Sequence, residues 1–226
     1  MKKLRTIIRW VVWTIAGLYI TTIVLLHIPA VQTFLAQQVS DAAGNKLGTE
    51  VRVGRIDLGF INRFVLDDIL IYDQSHKKML SASRVGARVD ILHLLRTGEI
   101  NISSAQVFGL QAELYKKSKD SKPNYQFALD SLASKDTTRH TPLHLSINSL
   151  VIRHGRIKYD CLDSPSTPNQ LNLNHINLSD ISSYLILHKL NDTSVWVDLR
   201  TLSFKEAAGL EVKQLAFDLK ANQQQA

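Results

Sequence analysis

Arg84–Ile91, RVGARVDI, is the stretch that decides the fold. Val85, Ala87, Val89 and Ile91 share one parity, and Arg84, Gly86, Arg88 and Asp90 the other. A period of two sends successive side chains to opposite faces of a strand. Downstream, Leu92 to Gly98 reads as a short helical turn. A longer strand pattern follows, with Ile100, Ile102, Phe108, Leu110, Ala112 and Leu114 all on even positions. Upstream, Val51 and Val53 alternate, the phase slips at Gly54, and Ile56, Leu58 and Phe60 resume it, as a bulge would produce. Further strand candidates run through Leu143–Tyr159, Leu171–Leu178, Tyr184–His188, Val195–Phe204 and Leu210–Leu219. Many short alternating runs with few helices predict a mainly antiparallel β-sheet.

The pattern breaks between Lys116 and Thr141, where KKSKDSKP (Lys116–Pro123) reads as a solvated loop and Asn124–Leu132 as a short amphipathic helix. A weak internal echo flanks this loop. Ile102-Ser103-Ser104, then Val107, Gly109 and Tyr115, resembles Ile147-Asn148-Ser149, then Ile152, Gly155 and Tyr159. Alternation persists to Leu219, so the sheet is expected to continue past Ala226 in a longer chain.

Before the sheet, Trp10–Ile28 (WVVWTIAGLYITTIVLLHI) is apolar throughout. As a helix it covers roughly 28 Å, close to the hydrocarbon core of a bilayer. Trp10 and Trp13 mark one interfacial edge, and Leu18, Tyr19, Ile23, Leu26 and Ile28 fill out the span. Lys2, Lys3, Arg5 and Arg9 precede it, with no comparable cluster just after, which predicts a cytoplasmic N-terminus and the bulk of the chain across the membrane. A cleaved signal peptide would have a shorter apolar region and a small-x-small site, where this chain offers only Ile28-Pro29-Ala30. From Pro29 to Gly48, Val31, Phe34, Leu35, Val39, Ala42, Ala43 and Leu47 form one helical stripe. The expected organisation is a basic tip (1–9), an anchor (10–28), an amphipathic helix (29–48) and a sheet domain (49–226) interrupted at 116–142.

Composition excludes several classes. The 226 residues carry 27 Lys and Arg against 20 Asp and Glu, but the four N-terminal bases leave 23 against 20 for the rest. The net charge of +7 therefore belongs largely to the membrane flank and does not argue for nucleic acid. One cysteine, Cys161, excludes an internal disulfide framework and a multi-cysteine metal site. His140 and His144 are separated by Pro142 and lack the glutamate of a zinc-protease helix. His154 and His175 read as solvated strand or turn positions. Asp160 and Asp163 flank Cys161 without a base nearby in sequence. No Gly-rich phosphate loop or nucleophile elbow occurs, so neither an enzyme nor a cofactor or metal is expected.

The order of basic tip, anchor, helix and then GTEVRVGRIDLGFINRFVLDDILIYD (Gly48–Asp73) resembles the N-terminal region of the AsmA-like superfamily, in particular TamB-type translocation and assembly module proteins. The resemblance continues through Val89-x-Ile91-x-x-Leu94-x-x-Gly98-x-Ile100-x-Ile102, Asn124-x-x-Phe127-x-x-Asp130-x-Leu132, and Leu202-Ser203-Phe204 with Gly209-Leu210. It implies an elongated, curved, repeating β-groove with an apolar interior. It also implies phospholipid passage between inner and outer membranes, and in some members help for an outer-membrane β-barrel assembly protein. Alternation alone leaves open whether the apolar side is sealed by a second layer or lines a channel. On the channel reading the candidate lining residues are Val51, Val53, Ile56, Leu58, Val85, Val89, Ile91, Ile100, Ile102, Phe108, Leu110, Val195, Val197 and Leu199. The rivals are an anchored scaffold that pairs with open strand edges, and a tethered hydrolase using His140, His144 or Asp160.

Overall fold

Pro29 divides the two helices that open the chain. Lacking an N–H and forcing its predecessor extended, it leaves Ile28 at φ −71°, ψ 125° between α1 (Lys2–Leu26) and α2 (Pro29–Leu47). The computed structural model describes residues 2–59, 62–97, 100–133, 145–167, 170–191 and 194–222. Among the described residues one stretch, Arg5–Leu26, is long and apolar enough to cross a membrane, and its most apolar part has no buried residue. The anchor therefore stops two residues short of the expected Ile28. Thr14, Thr21 and Thr22 donate their hydroxyls to the carbonyls of Trp10, Gly17 and Leu18, so none needs water.

The rest is mainly β. Strands β1 (Val51–Leu58), β2 (Arg63–Tyr72), β3 (Lys78–Val89), β4 (Ile100–Phe108), β5 (Gln111–Lys116), β6 (Leu145–Ile147), β7 (Ser149–Cys161), β8 (His175–Asn191), β9 (Ser194–Glu206) and β10 (Glu211–Asn222) form one mixed sheet. Its order is β1-β2-β3-β4-β7-β8-β9-β10, with β5 beside β3 and β7, and β6 beside β4. Two short helices, α3 (Ile91–Thr97) and α4 (Gln126–Ala133), lie in the connections. Ile91 thus begins a helix and does not end a strand.

All pairings are antiparallel except at one seam, where β4 and β5 run parallel to β6 and β7. There Ile102 faces Ile147, Val107 faces Ile152 and Leu114 faces Tyr159, a constant offset of 45 residues. The sequence echo is therefore two neighbouring strands in register, joined by the crossover that carries α4. A parallel pair needs such a long connection, which accounts for the polar excursion after Lys116.

One crease crosses the sheet. Asp68, Gly109, His154 and Asp180 have φ values of 55°, 63°, 55° and 53°, and they fall on β2, the β4–β5 junction, β7 and β8. At each, the parity of the strand slips. In β2, Phe64 and Leu66 share a face with Ile69 and Ile71; in β7, Leu150 and Ile152 share one with Ile157. Gly54 of β1 lies opposite Asp68, and a Cβ there would stand 3.0 Å from the Asp68 Cβ. Gly109 is under the tighter constraint, because an added Cβ would lie 2.5 Å from Ser83 Oγ in an αL backbone. Gly109→Ala is expected to cost about 1–2 kcal/mol, read as a lower denaturation midpoint with an unchanged denaturant slope.

The two edges differ. Along β1, the Val53 N–H points off the sheet and donates to Ser40 Oγ of α2 at 2.9 Å. Ser40 donates in turn to the Ala36 carbonyl. Ala36 and Ser40 are the buried residues of α2, whereas Phe34 and Val39 of the expected stripe are exposed. Small side chains are what let a helix lie close against a strand edge, so the packed face is not the most apolar one. Ser131 of α4 donates to the Leu47 carbonyl, tying the crossover to the same helix. Beyond β10, no strand pairs among the described residues.

Candidate functional site

Register gathers the apolar residues into rows that cross the sheet. Opposed residues in a ladder share a face. One row runs Ile56, Leu66, Val85, Val107, Ile152, Ser183, Leu202, Leu215. The next runs Leu58, Phe64, Ala87, Ala105, Leu150, Leu185, Leu199, Phe217. Across the crease the same face continues as Val53, Ile69, Ala82, and then Val51, Ile71, Leu80, Ala112, Ile157, Leu178. That last row ends on β9 at Glu206, so Ser183 and Glu206 are the polar members of these rows. Eight strands at about 4.8 Å spacing make the face roughly 34 Å wide.

The opposite face is polar. Arg55, Asp67, Arg84, Phe108 and Arg153 form one of its rows. Arg84 lies 2.7 Å and Arg55 2.9 Å from the Asp67 carboxylate. The Arg84 hydrogen bond, opposed by burial and helped by Arg55, holds Asp67 below its ordinary pKa.

The candidate lining residues divide accordingly. Val51, Val53, Ile56 and Val85 on the first three strands fall on the apolar face, as does Leu199 on β9. Val197, two residues before Leu199 and opposite Leu187 and Leu219, joins them. Val89 pairs with Ile102, which extends the face toward Ile147. Leu110 follows the Gly109 slip onto the same side as Ala112 and Leu114. Phe108 does not belong, since it sits in the row of Arg84 and Arg153. Ile91 is in α3. Ile100 and Val195 take strand positions, but their side chains, like that of Leu58, lie outside the described set. Ala105, Val107, Leu150, Ile152 and Leu185 belong to this face and were missed; only the register exposes them.

The described strands all belong to one sheet, with no second sheet among the described residues. Helix α2 packs along β1, α3 against β4 and α4 against α2. Several residues of the face are nearly covered, Ile56 at 4% exposure, Ala82 at 3%, and Ala105 and Leu199 at 7%. Between them Val107, Leu150, Ile152 and Leu185 are only partly covered. At β10, Leu215, Phe217 and Leu219 are about half exposed.

The polar clusters lie elsewhere, at the end of the sheet where β1 begins. Asp160 accepts from Lys158 Nζ at 2.8 Å and from His175 Nδ1 at 3.0 Å, and His175 Nε2 lies 2.9 Å from the Ser164 carbonyl. Contrary to the sequence reading, Asp160 has a base close by, Lys158 two residues before it, and the β7–β8 pairing brings a second, His175, which is bonded at both nitrogens and not solvated. Both partners are acceptors, so the imidazolium satisfies them together. The Asp160 bond, then the Ser164 carbonyl, raises the His175 pKa against burial. Burial pushes Asp160 up, but Lys158 and His175 more than offset it, so its pKa is lowered.

These shifts fix a pH window. The raised histidine stabilises fully below its unfolded pKa of about 6.5, and that stability is lost as pH rises through the folded value. The lowered aspartate stabilises above about 3.9 and is lost as pH falls through its folded value. The melting temperature is expected to decline above neutrality in the native chain, and to lose that part of its pH dependence in His175→Gln.

Cys161 is fully buried and donates its thiol to Asp163 Oδ1 at 3.0 Å. Among the described residues, no three His, Cys, Asp or Glu side chains converge as a metal site. His140 and His144 lie outside the described residues. Two shallow pockets of about 310 and 360 Å³ lie on either side of Tyr115. No protein-family model matches the chain, and no curated protein matches it in sequence.

Proposed function

We propose that the protein is a non-enzymatic, inner-membrane-anchored conduit whose creased sheet carries phospholipid acyl chains on its apolar face through the periplasm. The observation that carries this reading is the run of apolar rows on one sheet, with no second sheet among the described residues. Exposing a lipid to water costs about 0.8 kcal/mol per methylene, so a sixteen-carbon chain costs on the order of 12 kcal/mol. A surface of Val, Ile, Leu and Phe removes most of that penalty while the headgroup stays wet. Passive movement along such rows needs no catalytic residue. The basic residues before α1 favour a cytoplasmic N-terminus and place the sheet on the far side.

The test is direct. The full chain, extracted and exchanged into lipid-free amphipol, is expected to retain phospholipid at a stoichiometry near one or above, with the lipid lost on acid denaturation. Protein that retains none after mild extraction would sink the proposal.

Strand β10 favours a second reading, a scaffold for outer-membrane β-barrel proteins. Among the described residues it pairs with β9 on one side alone, and a strand edge carrying Leu215, Phe217 and Leu219 is a template for strand addition. Disulfide capture of a nascent barrel strand by cysteines placed along β10, with no lipid on the central rows, would select it over conduction.

A further inference from the structure

The end of the sheet that holds the Asp160–His175 clasp also gathers exposed leucines and lysines from three separate segments. Leu162, Leu171 and Leu173, all on the loop between β7 and β8, are 61%, 54% and 73% exposed. Leu171 and Leu173 fall in a segment where alternation predicted a strand, and nothing in a strand accounts for leucines held outward on a loop. The neighbouring loop after β5, KKSKDSK (Lys116–Lys122), carries four lysines and one acid. The two loops are tied side by side: the Leu162 N–H donates to the Lys116 carbonyl at 3.0 Å, and the Lys119 N–H to Asp163 Oδ2 at 3.2 Å. The β2–β3 turn adds Lys77 and Lys78, which line one pocket with Leu162 and Lys158. Lys117 and Lys122 line the adjoining one.

The nearby acids are largely committed. Asp73 accepts from two backbone amides and Tyr115, Asp160 from Lys158 and His175, and Asp163 from Cys161 and Lys119. Glu113 lies in the first pocket beside Lys158, and Asp120 is exposed on the lysine loop itself.

We propose that this end of the sheet docks on a bilayer surface containing anionic lipid, with the three leucines entering the headgroup region and the lysines of the adjoining loop and turn lying over phosphates. Apolar side chains ringed by flexible cations are the chemistry of interfacial membrane binding, in which burial and attraction to anionic lipid add. The arrangement stands on the loop geometry and does not require acyl chains on the apolar rows. The surface lies beside the C-terminal end of α2, a helix length of roughly 28 Å from the α1–α2 junction.

The test uses the full chain in nanodiscs, so that α1 is already embedded. Leu171→Cys is labelled with an environment-sensitive fluorophore; Cys161, fully buried, stays unlabelled. With zwitterionic nanodiscs, adding vesicles that contain phosphatidylglycerol is expected to shift emission to the blue, while phosphatidylcholine vesicles act weakly. A blue emission already present in phosphatidylglycerol nanodiscs, before vesicles are added, supports docking on the anchoring membrane instead of a separate one. Lys117→Glu with Lys119→Glu is expected to weaken vesicle binding by about thirtyfold or more, and Leu173→Ser by about tenfold. High salt should act like the lysine reversal. Unchanged emission in every bilayer, or full affinity after the lysine reversal, would overturn the proposal.

Discussion

Val107→Glu is expected to lower the phospholipid bound per chain by about a hundredfold, with little change in folding. The physical reason is the position of Val107 in the middle of an apolar row, between Val85 and Ile152. A carboxylate there must either be buried beneath an acyl chain, at a cost of several kcal/mol, or hold the chain away from the sheet. Val107 is only partly covered in the folded protein, so the charge still reaches water when no lipid is present. Leu150→Glu, two residues along the neighbouring strand, should behave alike. Gln106→Glu, on the opposite face beside Gly86 and Val151, should not. Lipid quantification after extraction distinguishes them, and equal loss from both faces would indicate general unfolding instead of a blocked surface.

Asp73→Ala is expected to have the largest effect on stability, about 3–5 kcal/mol. Asp73 is 2% exposed and closes the turn between β2 and β3. Its Oδ1 accepts from the Ser75 and Lys77 amides at 2.8 and 2.9 Å, and its Oδ2 from the Tyr115 hydroxyl at 2.8 Å. Burial pushes the carboxyl up, but those bonds outweigh it and hold its pKa below the ordinary value. A lowered carboxylate pKa contributes stability above its unfolded value of about 3.9, lost as pH falls through the folded value. Removing the side chain strands two amides and a hydroxyl, whereas Asp73→Asn keeps one acceptor and should cost less. Urea unfolding above and below the carboxylate range reads both the loss and its pH dependence.

The sequence made some of this legible and hid the rest for identifiable reasons. The apolar helix and α2 follow from apolar length, Pro29 and Gly48: α1 ends at Leu26 and α2 spans Pro29–Leu47, although α1 already begins at Lys2, well before Trp10. The sheet as a class follows from alternation at Arg84–Ile91, although the observed strand starts at Lys78. The missing residues lie across the crease, where the apolar parity changes from Val85 to Ala82 and the run no longer alternates.

The same slip hid half of the apolar face. Ile100, Ile102, Phe108, Leu110 and Leu114 are all even, which reads as a single uninterrupted face. The chain slips twice within it. A register shift between Arg88 and Val89 opposite Ser104 and Ile102 moves the face to Ala105 and Val107, and Gly109 moves it back to Leu110. Two compensating slips leave the ends in phase and put Phe108 on the polar side. No single-strand periodicity can detect that. The 45-residue echo could have, because its matching letters include Val107 and Ile152. The Asp160–His175 contact was out of reach for another reason: fourteen residues separate them, and their return is fixed only by the pairing of β7 with β8.

The central claim is that the apolar rows hold lipid and not a layer of the protein itself. Photo-reactive benzoylphenylalanine at Leu150 or Ile152, irradiated in intact cells, tests it most directly against the same probe at Gln106 or Tyr184 on the other face. The account predicts phospholipid adducts at the first pair and none at the second. Adducts at Leu150 and Ile152 formed only with the protein's own chain, or equal lipid capture on both faces, would contradict it.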